Sequence, residues 1–144
     1  MNPVENALIS IRPGYADAIF TGSKTVELRR RIPPISNGTM LWIYVTKPVG
    51  AVLGVAEVKE IVAGTPAEVW ARCNGSAGLD RSEFDRYFDA SESAFGLVLA
   101  SVRKGLPATM DTLKKLRPGF HPPQVMTRLT DAEAERLKQH VFRP

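Results

Sequence analysis

The residues with the most capacity for chemistry fall in one run, Gly22-Ser23-Lys24-Thr25-Val26-Glu27-Leu28-Arg29-Arg30, with Arg31 directly after it. The glycine is placed to close a helix. The alternation beyond it, Val26 and Leu28 against Thr25, Glu27 and Arg29, predicts a strand over 25–30. Side chains two apart on one strand face are near enough to pair, so Glu27 and Arg29 are expected to meet. Lys24, Arg29, Arg30 and Arg31 then form a cationic edge with a single carboxylate among them. On an open surface such a pair contributes little. In a cleft, the carboxylate would hold an arginine rigid or accept a hydrogen bond from a base or an amine.

Other chemistries are poorly supplied. Cys73 is the only cysteine, so no internal disulfide is possible, and a reducing, cytoplasmic setting is expected. A lone cysteine near a helix end reads as a small buried hydrophobe rather than a nucleophile. His121 and His140 are isolated, and no Cys/His spacing suits zinc, so no metal is expected. Glycine motifs for phosphate loops or dinucleotides are absent, which predicts no cofactor. The first residues, MNPVENALIS, lack a signal peptide's basic start and apolar run. No apolar stretch approaches the roughly 20 residues that span a bilayer.

The elements that must position these side chains follow from periodicity and punctuation. Residues 7–11 read as a strand broken by Arg12-Pro13-Gly14, with Pro13 opening a helix whose stripe is Tyr15, Ala16, Ile19 and Phe20. Pro33-Pro34 and Asn37-Gly38 mark a loop. Met40–Val45 is almost continuously apolar, as in a strand covered on both faces. Ala51–Ile61 is a long β-rich stretch with Gly54 where backbones approach closely. The short turn between these two strands, with Pro48 and Gly50, argues for an antiparallel pair. Capping boxes at Thr65/Glu68, Asp80/Glu83 and Thr130/Glu133 open three helices. Residues 94–102 form another apolar strand, and a short helix follows around 111–116. About five strands with covering helices predict one α+β domain over 1–144, with a helical extension from about 107 to the end.

Three short motifs in order make the chain resemble a known family. They are Ser10-Ile11-Arg12-Pro13, then Gly22-Ser23-Lys24-Thr25-Val26-Glu27-Leu28-Arg29, then Ile43-Tyr44. Together, over 7–61, they are similar to the ASCH domain, named for activating signal cointegrator homology, of the PUA-like superfamily. Pro122-Pro123-Gln124 also resembles a segment near the end of longer relatives. The resemblance implies a small mixed β-barrel flanked by helices, with a cleft beside the first helix that binds RNA or a modified nucleotide, and a regulatory role. Carried over by position, Lys24, Glu27 and Arg29 would line that cleft with Arg12 and Arg30. Tyr44 would offer a stacking face and Lys47 a phosphate contact. Two enzymatic alternatives come with the family. One is an amidohydrolase acting on N4-acetylcytidine, using a Lys-x-x-Thr pair and a distant glutamate. Here Glu27 stands where that threonine would be, so Lys24 would work with Glu27 or Glu57. The other is a ribonuclease, with Lys24 and Glu27 as acid and base.

The charge distribution fits a polyanion partner better than its total does. Formal charge is +4 overall, but residues 1–47 carry six basic and three acidic side chains. Residues 48–101 carry four basic and eight acidic, and residues 102–144 nine and four. If the basic ends meet, a phosphate backbone would favour that surface. Sequence-specific reading of duplex DNA is not expected, because no helix-turn-helix with a basic second helix is present.

Overall fold

Alternation over the first strand sends Ala7, Ile9 and Ile11 to one side and Leu8 to the other, and β1 (Asn6–Ile11) forms on that pattern. The structure is a computed structural model that describes residues 4–144. Pro13 opens α1 (Pro13–Thr21), and Gly22, at φ 87°, ends it in the left-handed conformation with its N–H donating to the Ile19 carbonyl. The chain continues through β2 (Val26–Arg29), β3 (Met40–Val45), β4 (Ala51–Gly64), α2 (Pro66–Cys73) and α3 (Arg81–Tyr87). It ends with β5 (Ala94–Thr109), α4 (Met110–Leu116), β6 (Met126–Leu129) and α5 (Asp131–Val141). All three expected capping boxes close α2, α3 and α5 at their N-termini.

The expected α+β class holds. One mixed sheet runs β2-β5-β4-β3-β1-β6, with β1 parallel to β3 and every other neighbour antiparallel. Repeated register shifts along β4 and β5 bend these two long strands, and Ser101 takes a positive φ of 52° in the same region. The sheet therefore curls into a barrel-like layer, but β2 and β6 remain its two ends. Gly54 sits where β4, β5 and α1 converge. A Cβ there would lie 2.2 Å from the Arg103 carbonyl oxygen and 2.7 Å from the Phe20 ring.

Three details differ from the sequence reading. The described residues form six strands rather than five, because Met126–Leu129 pairs with β1. At four residues, with Thr127 and Arg128 inside it, that edge strand has too little apolar alternation to announce itself. The strand expected over 94–102 runs on to Thr109, since pairing with Ala51–Val55 holds Arg103–Thr109 extended despite Pro107. The stretch from 107 onward is therefore not only helical. It carries the end of β5 and all of β6 beside α4 and α5.

Both faces of the sheet are covered. The inner face packs Ile9, Leu41, Ile43, Val58 and Leu97 against Ala16 and Ile19 of α1. The outer face sets Leu8, Trp42, Tyr44 and Val52 against Leu113, Leu137 and Val141 of α4 and α5. A third cluster places Val26, Leu28 and Val62 under Val69, Cys73 and Phe84 of α2 and α3. Period-two alternation on β2 therefore commits Val26 and Leu28 to the core and leaves Glu27 and Arg29 facing the other way. Among the described residues no helix is long and apolar enough to cross a membrane.

Candidate functional site

Lys24 lies just before β2, held by its neighbours on every side. Its N–H donates to the Ala18 carbonyl of α1, and the next two N–H groups, of Thr25 and Val26, donate to the Ser76 carbonyl. Its ammonium donates to the Ala77 carbonyl and stands 3.5 Å from Glu27 Oε1. Gly78, at φ 74°, lies against the lysine methylenes, where a Cβ would come within 3.3 Å. The turn between α2 and α3 thus clamps this side chain. Burial holds the Lys24 ammonium below its ordinary range; Glu27 opposes that shift and Arg29 adds to it.

Glu27, only 5% exposed, has a cation at each carboxylate oxygen. Oε1 faces Lys24, while Oε2 accepts from Arg29 Nε at 3.0 Å and lies 2.8 Å from Nη2. Arg29 Nη2 also donates to the Ser10 carbonyl at 2.6 Å, and Ser10 Oγ donates to the Pro123 carbonyl at 2.7 Å. The expected pairing of Glu27 with Arg29 is present. Two cations share one carboxylate, so this buried group keeps an excess positive charge.

These residues form the floor of a cleft of about 810 Å³. Arg12, Arg30 and Arg31 stand around it, Tyr15 of α1 and Tyr87 of α3 face it, and the segment Pro122–Val125 makes one wall. Five cations meet two carboxylates there, Glu27 and Glu83. The Lys24 ammonium sits 4.9 Å from the Tyr15 ring centroid, and the Arg30 guanidinium 4.8 Å from that of Tyr87. Burial raises the Tyr15 hydroxyl's pKa, with the charge of Glu83 and then that of Glu27 adding to it against Arg12.

Arg12, Lys24, Glu27, Arg29 and Arg30 are therefore brought together. Three other candidates are not. Tyr44 is 3% exposed and packs on the outer face beside Phe120 and Met110, because alternation on β3 turns it away from the inner residues Ile43 and Val45. Burial raises its hydroxyl pKa as well. Lys47 is exposed in the turn after β3, one residue beyond Thr46 of the cleft. Glu57 lies within β4, paired with Met40 and Ala100, away from the cleft. Thr25 is exposed and does not reach the cleft either. Burial raises the Cys73 thiol's pKa, with Arg72 opposing, as suits a core residue. Among the described residues no group of three His, Cys, Asp or Glu side chains gathers as a metal site.

Sequence reasoning missed Tyr15, Tyr87 and Glu83. Both tyrosines sit at helical spacing among apolar residues and read as core stripe, while Glu83 reads as a capping partner.

Residues 9–105 match the ASCH domain. The chain belongs to the ASCH domain family. It is 38% identical, over 133 residues, to a protein of Zymomonas mobilis subsp. mobilis named ASCH domain-containing ribonuclease. That match covers 92% of this chain and 90% of the relative. The crystal structure of ASCH from Zymomonas mobilis superposes with a TM-score of 0.91 at 37% identity, covering 95% of this chain and 96% of that one. The N-terminal domain of Staphylothermus marinus McrB shares the fold at 11% identity, with a TM-score of 0.59 over 96% of this chain and 98% of its own. The ASCH match spans the whole floor of the cleft, whereas the Pro122–Val125 wall lies beyond it.

Proposed function

We propose that this ASCH domain protein binds single-stranded RNA in the cleft and cleaves its phosphodiester backbone. The observation that carries the reading is the cleft's composition: three arginines and two tyrosines around a buried Lys24–Glu27–Arg29 cluster with excess positive charge. Arg12, Arg30 and Arg31 are exposed and suit phosphate oxygens. Tyr15 and Tyr87 offer faces for unstacked bases, the part expected of Tyr44. Cleavage is favoured by the name of the Zymomonas relative and by Lys24 itself. An ammonium in a poorly solvated floor stabilises charge building on a phosphorus centre and readily gives a proton to a departing oxygen. Amide hydrolysis has less support. It needs a hydroxyl beside Lys24, Thr25 points elsewhere, and Ser10 Oγ already donates to Pro123.

The test uses a fluorescein-labelled oligoribonucleotide and its deoxyribose counterpart. Anisotropy should show both binding, with log affinity falling against log salt at a slope of roughly −2 to −3, about 0.7 per neutralised phosphate. Denaturing gels should show fragments from the RNA alone. No association at low salt would overturn the binding reading, and intact RNA after binding would overturn cleavage.

A further inference from the structure

The cleft contains two carboxylates, and the geometry points to Glu83 as the general base of cleavage rather than Glu27. This inference rests on the cleavage reading above. Glu27 was the expected base from sequence, but both of its oxygens are engaged: Oε1 by Lys24, and Oε2 by two nitrogens of Arg29. With Oε1 facing Lys24 and Oε2 held by Arg29, neither oxygen of Glu27 is free to turn toward a 2′-hydroxyl. Glu83 lines the same cleft from α3, and its residue is exposed. One oxygen, Oε1, accepts a long 3.3 Å bond from the Asp80 N–H, and the other has no protein partner among the described residues. No ion pair involves Glu83 within that set either.

Tyr15 lines the same cleft as both working groups and feels each of them. Lys24 stands 4.9 Å from its ring centroid, and Glu83 is close enough that its charge helps keep the proton on the Tyr15 hydroxyl. A phosphodiester held over Tyr15 therefore has an acceptor on the α3 side and an ammonium on the floor. Glu83 takes the proton of the ribose 2′-hydroxyl, and the 2′-oxygen forms its bond to phosphorus. The bond from phosphorus to the 5′-oxygen breaks, and that oxygen takes a proton from Lys24. The products are a 2′,3′-cyclic phosphate and a 5′-hydroxyl, and the chemistry of the linkage demands RNA.

Glu83→Gln is the decisive variant, because its amide oxygen can still cap α3. It is compared with the unchanged protein for anisotropy with labelled RNA, single-turnover cleavage across pH 4–9, and end-group analysis. The expected result is RNA affinity within about threefold of the unchanged protein and a cleavage rate lower by roughly 100-fold. Glu83→Asp, which keeps a carboxylate, should recover part of that rate. A Glu83→Gln protein cleaving within threefold of the unchanged one overturns the assignment while leaving the cleavage reading intact. An unchanged protein that binds RNA and leaves it uncut overturns both. Products ending in 3′-phosphate with no cyclic intermediate overturn the role of the 2′-hydroxyl, and with it this base.

Discussion

Arg29 and Ser10 lie on strands that share no backbone ladder, yet the arginine Nη2 donates to the serine carbonyl at 2.6 Å. β2 is one end of the sheet, and three strands, β5, β4 and β3, lie between it and β1. The curl of β4 and β5 brings these distant members together, and one guanidinium fastens the seam beside the cleft. Its other contacts hold Glu27 in place.

Arg29→Ala should therefore cost about 3 kcal/mol, since it takes from a buried carboxylate the partner that meets it with two nitrogens and also unfastens the seam at Ser10. Thermal unfolding by circular dichroism should show a melting point lower by roughly 6–10 °C. Arg29→Lys should recover less than half, because one ammonium cannot reproduce a planar donor set reaching both Glu27 and Ser10. An Arg29→Lys protein melting with the unchanged one would refute this account.

Lys24 and Glu27 should answer mutation with opposite signs. Glu27→Gln leaves two cations facing each other in a buried floor and should cost about 3 kcal/mol. Lys24→Met removes a poorly solvated ammonium while Glu27 keeps Arg29, so the melting point should stay level or rise by a few degrees. RNA affinity should nevertheless fall. The same burial has a pH signature. A lysine held below 10.5 in the folded state leaves the unfolded chain binding the proton more tightly. Stability should rise as pH climbs through the folded value towards 10.5, and Lys24→Met should abolish that rise. Urea unfolding across pH 7–11 measures it.

How much of this was legible in the sequence depended on how local each signal is. Glu27 and Arg29 were readable because period-two alternation needs only six residues, and the Lys24 position follows from the Gly22 stop. Capping boxes are local as well, and all three form. Tyr15 was hidden because a helix stripe looks the same whether it faces a core or a cleft. Tyr44 failed for the converse reason. β3 is apolar on both faces, and which face meets the cleft depends on layers that alternation cannot rank. The Pro123 wall is set by a contact with Ser10 that spans 113 residues, so nothing nearby signals it.

Gly105 supports the docking of α5 on β5. A Cβ there would lie 2.3 Å from the Val141 carbonyl oxygen and 2.7 Å from its Cγ1, and the backbone atom has no rotamer to escape through. Gly105→Ala should cost about 2–3 kcal/mol. Hydrogen exchange should accelerate in α5 more than in β2, because the helix is what must move. Equal acceleration in both would mean that the clash is relieved elsewhere.

The acid limit of stability should be set in part by Glu133 and Arg117. Arg117, just past α4, donates Nε to Glu133 Oε2 and Nη2 to Oε1, each at 2.7 Å, and also reaches Thr127 Oγ1 and the Arg128 carbonyl of β6. One side chain thereby ties α4, β6 and the first turn of α5. The fork from Arg117, aided by the Thr130 cap, holds the Glu133 carboxyl at about 2 instead of its ordinary 4.5. A depressed folded value means the contribution is complete above pH 4.5 and is lost as pH falls through about 2. With Arg117 partly exposed, its size is on the order of 1–2 kcal/mol. Glu133→Gln should melt lower than the unchanged protein at pH 7 and converge with it near pH 2. If the gap between the two proteins stays constant over that range, the fork does not hold the carboxyl down.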